Sequence, residues 1–127
     1  MSKEVANRFV EALRKLEEDR DLEVLVAIHT EDCDVGNVAV SKTFNGHEGL
    51  REFWTGYRNT FDRMKSEFRN VFADEAGRAA LEWTTEGTSN GNTVSYDGVS
   101  ILEIEGDKVD RFRAYFDPRR LTEQVVS

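Results

Sequence analysis

The sequence contains a single cysteine and no long apolar run, and each shortage excludes a class of protein. Cys33 has no second cysteine with which to form an internal disulfide, which favours a reducing compartment. No stretch of about 18 consecutive apolar residues occurs, so no membrane-spanning helix is expected. The N-terminal MSKEVANRF lacks the apolar core of a signal peptide. Together these features predict a cytoplasmic protein.

The residue patterns that bind metals or phosphates are missing as well. One cysteine and two histidines, His29 and His47, do not supply a standard zinc site. The acidic residues around Asp32 lack the calcium-loop pattern. There is no glycine-rich phosphate loop and no serine nucleophile elbow. We therefore expect no metal, no other cofactor and no nucleophilic catalysis.

Basic residues are outnumbered, with 17 lysines and arginines against 25 aspartates and glutamates and a net charge of −8. Nucleic acids and anionic membranes both attract basic surfaces, so neither is an expected partner. With 39% hydrophobic and 33% charged residues, the 127-residue chain is typical of one globular domain spanning residues 1–127. The expected partner is a small neutral or weakly charged molecule.

The first half of the chain is predicted to be helical. Apolar residues recur at helical spacing from Val5 to Leu16, and the charged run EEDRD ends this first helix. Asp21 is expected to cap a second helix, with His29 on its apolar face. A short strand is expected at about 33–37.

A third helix is predicted to begin after Asn45, because Asn45 and Glu48 have the spacing of a capping box. His47 lies just inside this helix and is expected to be exposed. The broad apolar stripe of the helix consists of Leu50, Phe53, Trp54, Tyr57 and Phe61.

The second half of the chain alternates strand patterns with turn signals. Asn90-Gly91 favours a hairpin turn, and Asp117-Pro118 is typical of the start of a helix, expected at about 118–126. Helices followed by long antiparallel strands predict an α+β fold, in which helices cover one face of a curved sheet and enclose a pocket. The strands are expected at about 66–73, 78–87, 93–105 and 108–116.

Four segments carry a resemblance to a known family: RFVEAL, NGHEGLREFW, EWTTEGTSNG and RFRAYFD. With the order of the predicted elements, they make the chain similar to SnoaL-like members of the nuclear transport factor 2-like superfamily. The resemblance implies a cone-shaped α+β roll with a curved mixed or antiparallel sheet. This scaffold serves isomerases, hydrolases, cyclases, dehydratases and non-enzymes, so it implies the fold more strongly than the activity.

Two well-known activities of the superfamily are not expected, because their functional groups are missing at the matching positions. Ketosteroid isomerases have a tyrosine where this chain has Phe9 and an aspartate base where it has Asn37. Their protonated aspartic acid corresponds to Val99 or Ser100.

Limonene-epoxide hydrolases are excluded in the same way. They place an arginine between two aspartates, at positions that match Trp83, Thr85 and Ala114. Only their strand asparagine is retained, as Asn37. None of these replacements supplies the base or acid that either reaction needs.

The resemblance also implies which strand face looks inward, and strand alternation then predicts a candidate site. His29, Asn37 and Tyr96 are its candidate catalytic groups; His29 either polarises a substrate carbonyl or caps the end of its helix. Such a lining suits either a small-molecule pocket or a filled core. The candidate ligand-binding wall consists of Val35, Trp83, Thr85, Ser100, Phe112, Ala114 and Phe116.

The opposite face of the sheet is predicted to show Val99, Ile101 and Tyr115 among charges of both signs. Relatives commonly pair through this face, so the resemblance implies a homodimer. The alternative is an ordinary solvated sheet face with cross-strand ion pairs.

These features predict a protein that binds a small, largely apolar organic molecule. Any chemistry is expected to be cofactor-independent acid/base isomerisation, cyclisation or dehydration. The alternatives are a non-catalytic ligand carrier or sensor and a protein-interaction module.

Overall fold

The computed structural model describes residues 2–121. A further helix begins at Pro118, and the part of the predicted helix beyond Leu121 lies outside the described residues. The elements run in the order α1 (Ser2–Asp19), α2 (Glu23–Ala27), β1 (His29–Asn37), β2 (Phe44–Asn45), α3 (Gly46–Asn59), β3 (Arg63–Ala73), β4 (Arg78–Ser89), β5 (Asn92–Glu105) and β6 (Lys108–Phe116).

The strands form one six-stranded sheet in the order β2-β1-β6-β5-β4-β3. β1 and β6 run parallel, and the other neighbours are antiparallel. Asn90 and Gly91 both have positive φ, at 53° and 83°, and connect β4 to β5 as the predicted hairpin turn. The α+β fold with helices on a mixed sheet is thereby confirmed.

The helices cover one face of this sheet. α1 packs across β3 and α3 across β1, because each helix has one apolar stripe that must be buried. The stripe of α1 includes Val5, Phe9 and Leu13, and that of α3 includes Leu50 and Trp54; all are buried. The core therefore lies between the two helices and the inner face of the sheet.

Several predictions around α2 are wrong, whereas α3 begins directly after Asn45, as predicted. α2 ends at Ala27, so His29 begins β1 instead of lying on a helix. The N-cap position of α2 is Leu22, and Asp21 does not occupy it. Asn45 is the N-cap of α3, but its side chain makes no capping hydrogen bond. Short helices leave few periodic positions, so their ends depend on tertiary packing.

No helix among residues 2–121 is both long enough and apolar enough to cross a membrane.

Candidate functional site

A cavity of about 340 Å³ lies between the helices and the inner face of the sheet. α1 lines it with Phe9 and Leu13, α3 with a stripe from Glu52 to Tyr57, and β3 to β6 with their inward side chains. Ligand sites are typically about 300–1,000 Å³ and mainly apolar, with a few polar groups. The size and lining of this cavity therefore suit a small organic molecule.

Aromatic rings form much of the wall. Tyr57 connects two ring clusters, because its ring lies 5.1 Å from that of Trp54 and 6.3 Å from that of Phe61. Such walls favour flat, apolar ligands, since ring faces and edges pack well on one another. The first cluster contains Phe9, Phe53, Trp54 and Phe112, and the second contains Phe61, Trp83, Tyr96 and Phe116.

Trp83 is held across the floor of the cavity by its neighbours on β5. Its indole Nε1 donates a hydrogen bond to Ser100 Oγ at 2.9 Å. Gly98 lies directly opposite Trp83 in the ladder, and a Cβ atom there would stand 2.5 Å from the indole ring. The glycine therefore makes room for the ring, and the serine orients it.

The structure brings most of the predicted site residues together. Val35 does not line the cavity; it is fully buried, paired with Phe112 between β1 and β6. His29 is likewise absent from the lining. The predicted residues that do line the cavity are Asn37, Trp83, Thr85, Tyr96, Ser100, Phe112, Ala114 and Phe116.

His29 is a buried residue at the start of β1, just after α2 and behind Phe9. Its Nδ1 donates to the Leu25 carbonyl at 2.7 Å, and its ring lies 6.3 Å from that of Phe9. Burial lowers the pKa of His29 to about 4, so the ring is neutral at neutral pH. This geometry matches the helix-capping alternative and does not support contact with a ligand.

His47 also differs from expectation. It is half-buried instead of exposed, and its Nε2 lies 3.1 Å from the His29 carbonyl oxygen. This histidine therefore ties α3 to the start of β1.

Asn37 and Tyr96 supply polar groups to the cavity. Asn37 Oδ1 accepts a hydrogen bond from the Ala39 N–H at 2.9 Å, which leaves its amide NH₂ as the group that can donate. Burial, and secondarily the charge of Glu17, raise the pKa of Tyr96. The Tyr96 hydroxyl therefore keeps its proton at neutral pH and can donate it in a hydrogen bond.

Glu17 is a buried carboxylate directly behind the cavity wall. It is 4% exposed, and its Oε2 accepts hydrogen bonds from Tyr57 Oη at 2.8 Å and Ser66 Oγ at 2.6 Å. Its Oε1 accepts one from the Ser66 N–H at 2.8 Å. Ser66 Oγ lies 2.7 Å from Thr85 Oγ1, so the network continues onto β4. We call Glu17, Tyr57, Ser66 and Thr85 the Glu17 network.

The environment of the Glu17 network keeps its protons in place. Burial, and then the neighbouring charge of Glu17, raise the pKa of Tyr57 well above its ordinary value, so this hydroxyl stays protonated. The buried guanidinium of Arg58 donates to the Glu17 main-chain carbonyl at 3.1 Å. The Arg58 cation thus lies beside the Glu17 main chain, and its electrostatic attraction to the carboxylate offsets part of the cost of burial.

The site predicted from the sequence does not include Glu17. In the sequence, Glu17 is the first residue of the charged run EEDRD, which is expected to end the first helix. The signal that identifies it is its spacing. Phe9, Leu13 and Glu17 follow one another at four-residue steps, so the carboxylate continues the apolar stripe of α1. A charge on such a stripe is a candidate for a buried polar network.

Among residues 2–121, no group of three or more His, Cys, Asp or Glu side chains has the arrangement of a metal site.

Comparison of the sequence with protein families gives one decisive match. The family model of the SnoaL-like domain covers residues 6–117. The chain belongs to the SnoaL-like family. No curated protein matches the sequence of this SnoaL-like protein.

Solved structures share the fold of this SnoaL-like protein. TerC, co-crystallised with polyporic acid, is 22% identical with a TM-score of 0.84, over 99% of this chain and 98% of that chain. An LEH-like epoxide hydrolase from M. tuberculosis is 18% identical with a TM-score of 0.73, over 98% of this chain and 89% of that chain. An NTF2-like protein of unknown function from Burkholderia pseudomallei is 16% identical with a TM-score of 0.85, over 99% of this chain and 98% of that chain. These likenesses confirm the cone-shaped nuclear transport factor 2-like fold.

Proposed function

We propose that this SnoaL-like protein binds a small, flat, largely apolar organic molecule in the cavity and converts it by cofactor-independent acid/base chemistry. Isomerisation, cyclisation and dehydration are the reaction types that such chemistry serves. The observation that carries the proposal is the cavity of about 340 Å³, with its aromatic walls and a few buried polar groups.

The aromatic lining supports a ligand that contains rings. Phe61 and Tyr96 lie nearly parallel, at an interplanar angle of 10° and a centroid separation of 6.3 Å. The fold match to TerC, which was co-crystallised with polyporic acid, adds support for an aromatic ligand. Polyporic acid is therefore a reasonable first probe.

Asn37 and Tyr96 are the proposed polar contacts to the ligand. The Asn37 NH₂ group and the Tyr96 hydroxyl can each donate to a ligand oxygen, and a donor aimed at a developing enolate stabilises it. A ligand packed against the surrounding aromatic wall would displace water, which strengthens such contacts. His29 has no place in this proposal, because it lies behind Phe9.

A ligand carrier or sensor without turnover is the second candidate function. The absence of His29 from the cavity lining favours it, since no histidine of residues 2–121 lines the cavity. Loss of turnover with retained affinity on changing Tyr96 to Phe would identify an enzyme. Tight binding without any turnover would identify a carrier.

Thermal unfolding in the presence of ligands tests the binding proposal. The panel contains polyporic acid, a steroid, a terpenoid epoxide and an aromatic polyketide. A ligand that binds only the folded protein adds about 2.7 kcal/mol at a hundredfold excess over its Kd. We expect a dose-dependent rise in Tm for one chemical class.

The matched control is Ala114→Phe, which places a ring inside the cavity from β6. This variant should fold but lose the rise in Tm. A flat panel for the unmodified protein, or the same rise in Ala114→Phe, would contradict binding in this cavity.

We further infer that the protein forms a homodimer through the outer face of the sheet. This face exposes Phe72 and Tyr115, which are 65% and 42% accessible. A groove there places both residues close to Glu82 and Asp97. Apolar residues among charges suit a self-complementary contact. The proposed location of the dimer is the cytoplasm, on the ground that the lone Cys33 stays reduced there.

A further inference from the structure

Glu17 determines the direction of the hydrogen bonds behind one part of the cavity wall. The hydroxyl protons of Tyr57 and Ser66 both point to its Oε2. Ser66 has only one hydroxyl proton, so in the 2.7 Å contact with Thr85 it must accept. Thr85 therefore donates to Ser66, and every hydroxyl proton of the Glu17 network is used in a hydrogen bond within the network.

The cavity side of the Glu17 network consequently offers acceptors. Tyr57, Ser66 and Thr85 line the cavity, whereas Glu17 does not. Each hydroxyl has a single proton and two lone pairs, and the proton of each is already committed. A ligand carbonyl or ether oxygen placed there would meet only other lone pairs. A ligand hydroxyl would find an acceptor.

We propose that this part of the wall selects ligands that carry a phenolic or enolic hydroxyl on an apolar frame, and that Glu17 is the positioning residue that enforces the selection. The inference rests on the proposed function, because it requires that a ligand enters the cavity. Glu17 acts through Tyr57 and Thr85 and does not itself contact the ligand. A ligand oxygen that meets only acceptors in a buried site loses its hydrogen bonds to water without replacement, which gives the selection its strength.

This selection is tested with two probes, 4-phenylphenol and its methyl ether, 4-methoxybiphenyl. They differ only in whether the oxygen carries a hydrogen-bond donor. Their Kd values are measured by titration calorimetry. We expect the unmodified protein to bind the phenol about tenfold more tightly than the ether. In Glu17→Gln the amide can donate to Tyr57, whose proton is then free to turn to the cavity. The preference should fall to about twofold or less.

The matched control is Glu18→Gln, one residue further along α1. Glu18 is exposed and paired with Arg14, so this change removes a carboxylate without touching the cavity. It should retain the tenfold preference. Tyr57→Phe, with Tyr115→Phe on the outer face as its control, removes an acceptor while keeping the carboxylate. If Glu17→Gln does not fold, the preference of Tyr57→Phe for the phenol over the ether tests the selection instead.

The outcomes separate this inference from the proposed function. Binding of both probes without a preference for the phenol, or a tenfold preference that survives both Glu17→Gln and Tyr57→Phe, would overturn the selection alone. Binding of neither probe to the unmodified protein would overturn the binding proposal, and the selection with it.

Discussion

Trp83 donates its indole N–H to Ser100 Oγ, on the neighbouring strand, at 2.9 Å, and both side chains line the cavity. The two residues lie on β4 and β5, offset by one inward-facing position, since Trp83 pairs with Gly98. The hydrogen bond therefore determines how far the indole leans over the sheet, and with it the shape of the cavity floor.

Removing the Ser100 hydroxyl should destabilise the fold. In Ser100→Ala, the buried indole N–H loses its acceptor, at a cost of about 1–3 kcal/mol. Urea unfolding followed by circular dichroism measures the change. Ser41→Ala, in the exposed loop after β1, is the control and should change stability by less than about 0.5 kcal/mol. Equal stability of the two variants would show that the hydrogen bond contributes nothing.

A methyl group at Gly98 should displace Trp83. The added Cβ would lie 2.5 Å from the indole and 2.7 Å from the Tyr115 carbonyl oxygen, so the strand or the ring must move. We expect Gly98→Ala to lose about 1–3 kcal/mol of unfolding free energy.

Gly56→Ala is the control, and its expected effect on the free energy of unfolding has the opposite sign. Gly56 lies in α3 with no atom within 4 Å of an added Cβ, so alanine should stabilise the helix by about 0.5–1 kcal/mol. Both changes can be measured by chemical denaturation. A neutral Gly98→Ala would mean that Trp83 is not confined against the sheet.

Stability should fall as the pH is lowered below about 6.5, because of His29. Burial holds its folded pKa at about 4, below the ordinary value of 6.5, so the unfolded chain binds the proton first. Between pH 7.5 and 5 this removes about 2 kcal/mol of unfolding free energy. The loss is complete only below pH 4.

The measurement is urea unfolding at several pH values for the unmodified protein and for His29→Gln. The variant is less stable at pH 7.5, since it loses the bond to Leu25, but its stability should depend less on pH. Parallel pH profiles for the two proteins would show that His29 titrates normally.

The proposed homodimer should dissociate when a charge is placed in its centre. Ile101 lies on the outer face of β5, opposite Ala80 and Arg113 on the neighbouring strands. Ile101→Lys should halve the mass seen by sedimentation while leaving the circular dichroism spectrum unchanged. Val38→Lys, at a site that is 44% exposed after β1, is the control and should remain dimeric. A monomeric unmodified protein would contradict the interface.

Long elements with strong periodicity were predictable from the sequence. The β6 strand spans the predicted 108–116, and Asn90-Gly91 forms the predicted turn. With the inward face implied by the family resemblance, alternation also predicted that Tyr96, Trp83 and Phe112 share the inner face of the sheet, because successive strand side chains point to opposite sides. Elements near α2 were predicted poorly, since a five-residue helix leaves no clear period.

The sequence by itself determined the fold class, the SnoaL-like family and the inward face of β4, β5 and β6. The fold class depends on local periodicity and the family on local motifs, and the family resemblance together with strand alternation indicates the inward face. Only the tertiary structure decided that His29 lies behind Phe9 and that Glu17 meets Ser66, 49 positions away in the chain. Such contacts join elements that are distant in sequence, and a carboxylate on a helix is buried or exposed according to what packs against it. The polar pattern of the cavity is therefore a product of packing, whereas its apolar walls follow from the sequence pattern.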